Sequence, residues 1–158
     1  MRPQLDIIEN KDDLHLRWLE EFKQYCSVPD NGRDALLERL LRSAIMRVQE
    51  YSNRALVVCR VRQTARSNPE TGLLRLYLGG GKDLTVRFVD TPFPASYEPT
   101  GGGSIFVRPR GAAVTAEFTT DPVRSWLDEA KPTVFRYATA LYDGQSAEAL
   151  GSILNEVL

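Results

Sequence analysis

Across residues 34–56 the apolar positions recur every three or four residues: Leu37, Leu41, Ala44, Val48 and Tyr51, with Leu40 and Ile45 widening the stripe. That period predicts an amphipathic helix over about 33–53, one face of which is made for a partner surface. Pro29-Asp30-Asn31-Gly32 is turn chemistry, and Asp30, Asn31 and Asp34 can accept from the unpaired N–H groups of the first helical turn. Ser52-Asn53 predicts the stop, because Asn tolerates the left-handed backbone that ends helices. An earlier stripe of Leu14, Trp18, Leu19, Phe22, Tyr25 and Cys26 predicts a first helix over about 12–27, with Asp12 and Asp13 at its start. A connection of about five residues makes the two an antiparallel or sharply crossed pair.

From Leu56 the period falls to two. Val57, Cys59 and Val61 alternate with Arg60, Arg62 and Thr64; Leu74, Leu76 and Leu78 with Arg75 and Tyr77; Leu84, Val86 and Phe88 with Thr85 and Arg87. These are half-buried strands, and the breaks at 67–72 and 79–83 have the glycine and proline of hairpin loops. Residues 90–104 hold three prolines and Gly101-Gly102-Gly103. No regular element is expected there, and a loop of this length is functional or mobile. Two further strands, 105–108 and 113–119, close the β part.

Asp121-Pro122 opens a short helix through Ala130, Pro132 opens another to Tyr142, and Asp143-Gly144 ends it. A last helix from Ser146 places Leu150, Ile153, Leu154, Val157 and Leu158 on one stripe, which must dock on this molecule or on a neighbour. The expected class is therefore α+β in one domain over 1–158. An N-terminal helix pair leads into a small antiparallel β region at about 56–119, and C-terminal helices at about 122–158 pack back on the first pair.

Composition fits that picture and narrows the function. With 158 residues, 42% of them hydrophobic, the chain has enough material for one real core. A net charge of −1 gives the whole molecule no electrostatic pull toward nucleic acid or an anionic membrane, so any such contact is local. No apolar run approaches a membrane span, and Met1-Arg-Pro-Gln-Leu-Asp lacks a signal-peptide core, so synthesis in the cytosol is expected with no membrane partner. Cys26 and Cys59, the two cysteines, sit among apolar residues and are expected to be buried free thiols.

The chemistry-bearing patterns are thin. Gly79-Gly80-Gly81-Lys82 fails as a phosphate loop, because Leu76 stands where the motif needs its first glycine and Asp83 where it needs Ser or Thr. A flexible hairpin tip is the expected role. His15 is the single histidine and is expected to be a surface or half-buried structural residue rather than part of a triad or a His-rich metal site, and no metal-ligand spacing occurs. The pairs Asp12-Asp13 and Glu20-Glu21 are neighbours along a helix and do not converge. No enzymatic activity, cofactor, metal or small-molecule substrate is therefore expected.

Arginine is the one pattern with content. Of the 20 basic residues only Lys11, Lys23, Lys82 and Lys131 are lysine. Arg60, Arg62, Arg75 and Arg87 are expected on the polar side of one sheet, with Arg108 and Arg110 nearby. Such a stripe is either a solvated face that discourages aggregation or a surface for an acidic subunit or DNA backbone, without base readout.

Asp34-Ala-Leu-Leu, a small residue, a Val one turn later, Glu50-Tyr51, a polar pair and Arg54-Ala-Leu56 together resemble the N-terminal helix of tailed-phage head-tail connector proteins. Ala113-Val-Thr-Ala-Glu-Phe-Thr-Thr120 is similar to that family's last strand, and Tyr137-Ala-Thr-Ala-Leu-Tyr142 falls at its later helix. One departure is the corner, usually Thr-Gly and here Ser52-Asn53.

The resemblance implies a structural adaptor, made and assembled in a bacterial host cytoplasm and carried in the virion. It would form a homo-oligomeric ring below the portal, bind portal and tail-completion proteins, and leave a channel for DNA. Candidate interface residues are then Arg39, Arg42 and Arg47 beside the helical stripe, Phe93 and Tyr97 in the loop, and Leu154, Val157 and Leu158 at the end. The alternative is a small cytosolic binding or regulatory domain, contacting nucleic acid or an acidic partner through the arginine-lined face.

Overall fold

The computed structural model describes residues 2–10, 12–28, 31–91 and 94–156. It is α+β, and the expected single domain is built as two compact units: Met1–Asp12 with Val57–Asp121, and Asp13–Leu56 with Pro122–Leu158. The segment Val57–Asp121 of the β unit is thus inserted into the sequence of the helical one, and its other segment, with the first strand, precedes it.

The β unit holds two antiparallel sheets. Strands β1 (Gln4–Asn10), β2 (Cys59–Arg66), β4 (Gly81–Val89) and β7 (Ala113–Thr120) form one, in the order β1-β2-β7-β4; β3 (Leu73–Arg75), β5 (Ser96–Pro99) and β6 (Ser104–Arg108) form the other, in the order β3-β6-β5. Period-two alternation explains the core. Val61, Val114, Ala116, Phe118, Leu74, Ile105 and Val107 lie in one buried cluster fed by both sheets, with Leu84, Val86 and Phe88 packed against it.

Pairing differs from expectation. Neither expected hairpin forms, because β2 pairs with β1 and β7, β3 with β6, and β4 with β7. The segments at 67–72 and 79–80 instead carry the chain from one sheet to the other. Leu78, expected in a strand, lies in a 3-10 turn over Tyr77–Gly79 with φ 53°. Two strands were unforeseen. β1 has no clean alternation because a bulge falls between Ile7 and Glu9. Residues 96–108, largely assigned to loop, form the β5–β6 hairpin, turned by Thr100 and the glycines with the Thr100 N–H donating to the Ser104 carbonyl at 3.1 Å.

Gly81 is no flexible tip. It pairs with Thr120, and any Cβ there would collide with the Thr119 carbonyl oxygen, so glycine serves close approach of two backbones. Thr120 is fully buried at the end of the sheet. Its hydroxyl donates to the Val57 carbonyl at 2.7 Å and accepts from the Cys59 N–H at 2.8 Å, tying the strand that enters the unit to the one that leaves it.

The helical unit contains α1 (Leu14–Arg17), α2 (Leu19–Cys26), α3 (Asp34–Ser52), α4 (Arg124–Tyr142) and α5 (Ala147–Asn155). The expected first helix is two, with a one-residue break at Trp18, and it starts at Leu14. Asp12 is not its cap, because its carboxylate accepts from the Val58 N–H at 2.8 Å within the β unit. α3 is the helix foreseen: Leu37, Leu41, Ala44, Ile45 and Val48 are buried, and Asn53 ends it at φ 52°. Tyr51, assigned to the same stripe, is exposed.

Asp34 does not cap α3. Its carboxylate lies 3.0 Å from the ammonium of Lys23, a buried lysine that also donates to Asn31 at 2.6 Å. α4 is one helix where two were expected; Pro132 sits on an exposed turn, where water can satisfy the carbonyl that a proline leaves unpaired. It packs against α3, and its Phe135 ring meets Trp18, Phe22 and Tyr25 at 5.4–6.0 Å. α5 begins as expected, with Ser146 accepting from the Ala149 N–H.

Two substitutions test these cores. Leu41 is fully buried, so Leu41→Ala should cost about 2–5 kcal/mol in denaturant unfolding; a loss below about 0.5 kcal/mol would contradict its burial. Thr120→Val keeps the shape but strands a buried N–H and a carbonyl, and should cost about 1–3 kcal/mol. An unchanged denaturation midpoint would remove the hydroxyl's structural role.

Candidate interaction surfaces

The polar face of the four-stranded sheet is where the arginines converge. Register sets Arg62 opposite Glu117 and Arg60 opposite Thr119, with Thr85 and Arg87 flanking from the other side of β7. Arg62 Nε donates to the Glu117 carboxylate at 2.7 Å, and Arg60 lies 3.8 Å from its second oxygen. Arg60 also donates to the Asp83 carbonyl at 3.0 Å. The hydrogen bond from Arg62, with the charges of Arg62, Arg60 and Arg87 added, holds the Glu117 carboxyl below the usual range.

The stripe is therefore not a bare cationic field, since one carboxylate sits at its centre. The Arg87 side chain makes no hydrogen bond among the described residues. Arg75 belongs to β3 in the other sheet, which corrects the expectation of one face. Of the two neighbours, Arg110 donates to the Glu70 carbonyl at 2.8 Å, and Arg108 stands opposite Ser96.

On α3, Arg39, Arg42 and Arg47 are exposed. Arg42 lies 3.0 Å from His15 Nε2, and Arg47 donates to the Tyr137 hydroxyl at 3.4 Å. Arg39 has no such partner among the described residues. His15 therefore belongs to a surface contact between two helices. Tyr97 is on β5, opposite Val107 and 38% exposed. Leu154 is buried with Ile153 in its own helical unit, so this part of the terminal stripe is used within the chain. Phe93, Val157 and Leu158 lie outside the described residues.

Cys59 is buried and Cys26 half-buried, both free. Burial pushes the Cys59 thiol up, against the hydrogen bond with Thr120, which keeps it protonated and unreactive. Among the described residues no His, Cys, Asp and Glu cluster could hold a metal ion, and no helix is long and apolar enough to cross a membrane.

What sequence reasoning missed is an apolar edge. Leu5, Ile7 and Ile8 of β1 are 46%, 43% and 45% exposed. On the second sheet Leu73 and Phe106 stand opposite one another, both exposed. The alternation of Leu73 with Leu74 and of Phe106 with Ile105 and Val107 could have flagged the second patch; only the missed strand could have flagged the first.

No protein-family model and no curated protein sequence matches the chain. Its fold does match solved structures. A chain in the neck of an empty GTA particle computed with C6 symmetry superposes with TM-score 0.66 at 18% identity, over 98% of this chain and 94% of that one. A chain in the neck of a native GTA particle computed with C12 symmetry gives 0.62 at 17%, again over 98% and 94%. One in the virion of a native gene transfer agent particle gives 0.66 at 18%, over 97% and 94%. Nearly the whole length of the chain is thus matched in fold by chains of these particles.

Glu117 offers a direct test of the arginine face. Its depressed pKa means that its ion pairs contribute above the ordinary carboxylate range and fade as pH falls through the folded value. A side-chain NMR titration should place Glu117 below free glutamate, and Arg62→Gln should move it back up. An unmoved titration would separate the two groups.

Proposed function

We propose that this chain is a structural subunit of the neck of a phage-like particle: a head-tail connector that assembles into a closed ring below the portal and leaves a central passage for DNA. The observation that carries the reading is the likeness of fold over nearly the full length to chains of a gene-transfer-agent neck. The connector-like stretch at 34–56 supports it from another direction, because those residues build α3 and its left-handed stop at Asn53, the corner where the family has glycine. Location in the virion, after assembly in a bacterial cytoplasm, follows from the same reading.

Necks computed with six-fold and twelve-fold symmetry each hold a chain of this fold, and a ring of twelve satisfies both. The partners are further copies of this chain, the portal, and tail-completion proteins. Arg39 and Tyr97 are exposed candidates for those contacts; Phe93, Val157 and Leu158 are proposed from the sequence alone. Arg75, whose carbonyl accepts from Gln63, makes no side-chain hydrogen bond among the described residues, and it is assigned to weak, sequence-independent contact with passing DNA. The reading includes no catalytic, cofactor or metal site.

Light scattering against concentration, with and without purified portal rings, tests the assembly. The mass should climb from 17.8 kDa toward twelve copies, about 214 kDa. A species that stays at 17.8 kDa at every concentration and beside portal would defeat the reading.

A further inference from the structure

The four-stranded sheet has two open edges, β1 and β4, and they are complementary. Every residue of β1 is exposed, including Leu5, Ile7 and Ile8. Ile7 stands opposite Val61 and Leu5 opposite Gln63, so Ile7 and Leu5 lie on the core side of the sheet and are nonetheless exposed. Asp6 lies on the other side, opposite Arg62. At the far edge, Val86 and Phe88 of β4 lie on the same core side, opposite Ala116 and Val114, and are half-buried. Arg87 lies on the polar side.

β1 carries Asp6 and Glu9 and no cation, whereas β4 carries Lys82 and Arg87 against a single Asp83. An acidic edge with uncovered apolar residues thus belongs to the same sheet as a basic edge with half-covered ones.

Direction agrees as well. All three pairings in the sheet are antiparallel, so with four strands the two edge strands run in opposite senses. A second copy placed by rotation with its β4 beside β1 continues the antiparallel alternation and keeps the same face inward. We infer that β1 of one subunit pairs with β4 of the next copy, so that the four-stranded sheets join head to tail around the ring. The inference rests on the proposed ring and names the surface that builds it.

In that junction Leu5 and Ile7 join the row of Val86 and Phe88, while Asp6 and Glu9 face the Lys82 and Arg87 side. The contact is heterologous: each subunit gives one edge and receives the other, which is the kind of interface that closes into rings. Size is compatible, since four strands about 4.8 Å apart span ~19 Å, and twelve such spans make a circle of ~37 Å radius, wider with strand tilt.

A mixing experiment distinguishes this from other contacts. Leu5→Asp with Ile7→Asp blocks the β1 edge by setting carboxylates against Val86 and Phe88, and Lys82→Glu with Arg87→Glu blocks the β4 edge by like charge; all four residues are exposed. Under conditions in which the unmodified chain assembles, each variant alone should sediment as a monomer. Their equimolar mixture should stop at a dimer, because one intact β1 meets one intact β4 and both outer edges are blocked. Amide exchange of the unmodified chain gives an independent readout, with residues 4–10 slowing on assembly.

A β1 variant that assembles like the unmodified chain, a mixture without dimer, or unchanged exchange over 4–10 would overturn the edge pairing while leaving the ring intact. An unmodified chain that never assembles would instead remove the ring reading itself.

Discussion

Two buried side chains close the two units, and the rest of the architecture depends on them. The helical unit is left at Leu56 and rejoined at Pro122, with 65 residues of β structure between. At the exit, Gln49 is 1% exposed and its side-chain oxygen accepts the Leu56 N–H at 2.9 Å. Inside the β unit, Thr120 binds both ends of the insertion to each other. Buried polar groups of this kind are costly when half satisfied and specifying when fully satisfied. Long-range pairing of residues 57–59 with 120 brings together strands that would otherwise be free ends, and β2 can then pair with β7 along its length. Loop-closure entropy for so long an insertion grows only slowly with its length, so a few fixed contacts at its base suffice to hold it.

The arginine face follows from that pairing. β7 is an inner strand, and its polar residues Thr115, Glu117 and Thr119 fall between those of β2 and β4. Glu117 therefore meets three guanidinium groups instead of water alone, and the face is held in shape by charge that it has already compensated. Surface ion pairs of this exposure contribute little to stability. Their larger effect is on partners: a polyanion approaching this face competes with a carboxylate, which favours weak and reversible contact over tight binding.

Local pattern made α3, α5 and the strands β2, β4, β6 and β7 legible, because a helical or period-two stripe needs no knowledge of what covers it. Partners were not legible. Alternation says which side of a strand is buried but not which strand lies beside it, and Arg62 meets Glu117 across 55 residues of sequence. The same limit made adjacent strands look like hairpins when they belong to different sheets. β1 escaped notice because a bulge breaks its period, and β5 because prolines flank and end it, as an edge strand tolerates. Pro132 misled in the opposite direction, since only the exposed side of α4 decides whether its missing N–H matters. Among the site candidates, Leu154 showed the weakness of judging from a stripe: its helix could dock at home or abroad, and packing in the fold took the first course.

Edge pairing also bears on when such a chain assembles. An uncovered apolar edge is a liability that soluble proteins blunt with charge, and β1 does so with Asp6 and Glu9. Each main-chain hydrogen bond adds about 0.5–1.5 kcal/mol net, while bringing two free subunits together costs about 4–15 kcal/mol in lost freedom. A single seven-residue edge therefore holds two subunits only weakly. Closure changes the balance, because the last subunit of a ring makes two contacts for one loss of freedom and its neighbours are already at high effective concentration. Acidic and basic edges keep like edges apart and admit only the head-to-tail order, so the same charges that suppress aggregation of the free chain also select the geometry that can close. A surface already holding several copies side by side would supply the missing concentration, which makes the template, rather than the strength of any one junction, the step that commits the chain to assembly.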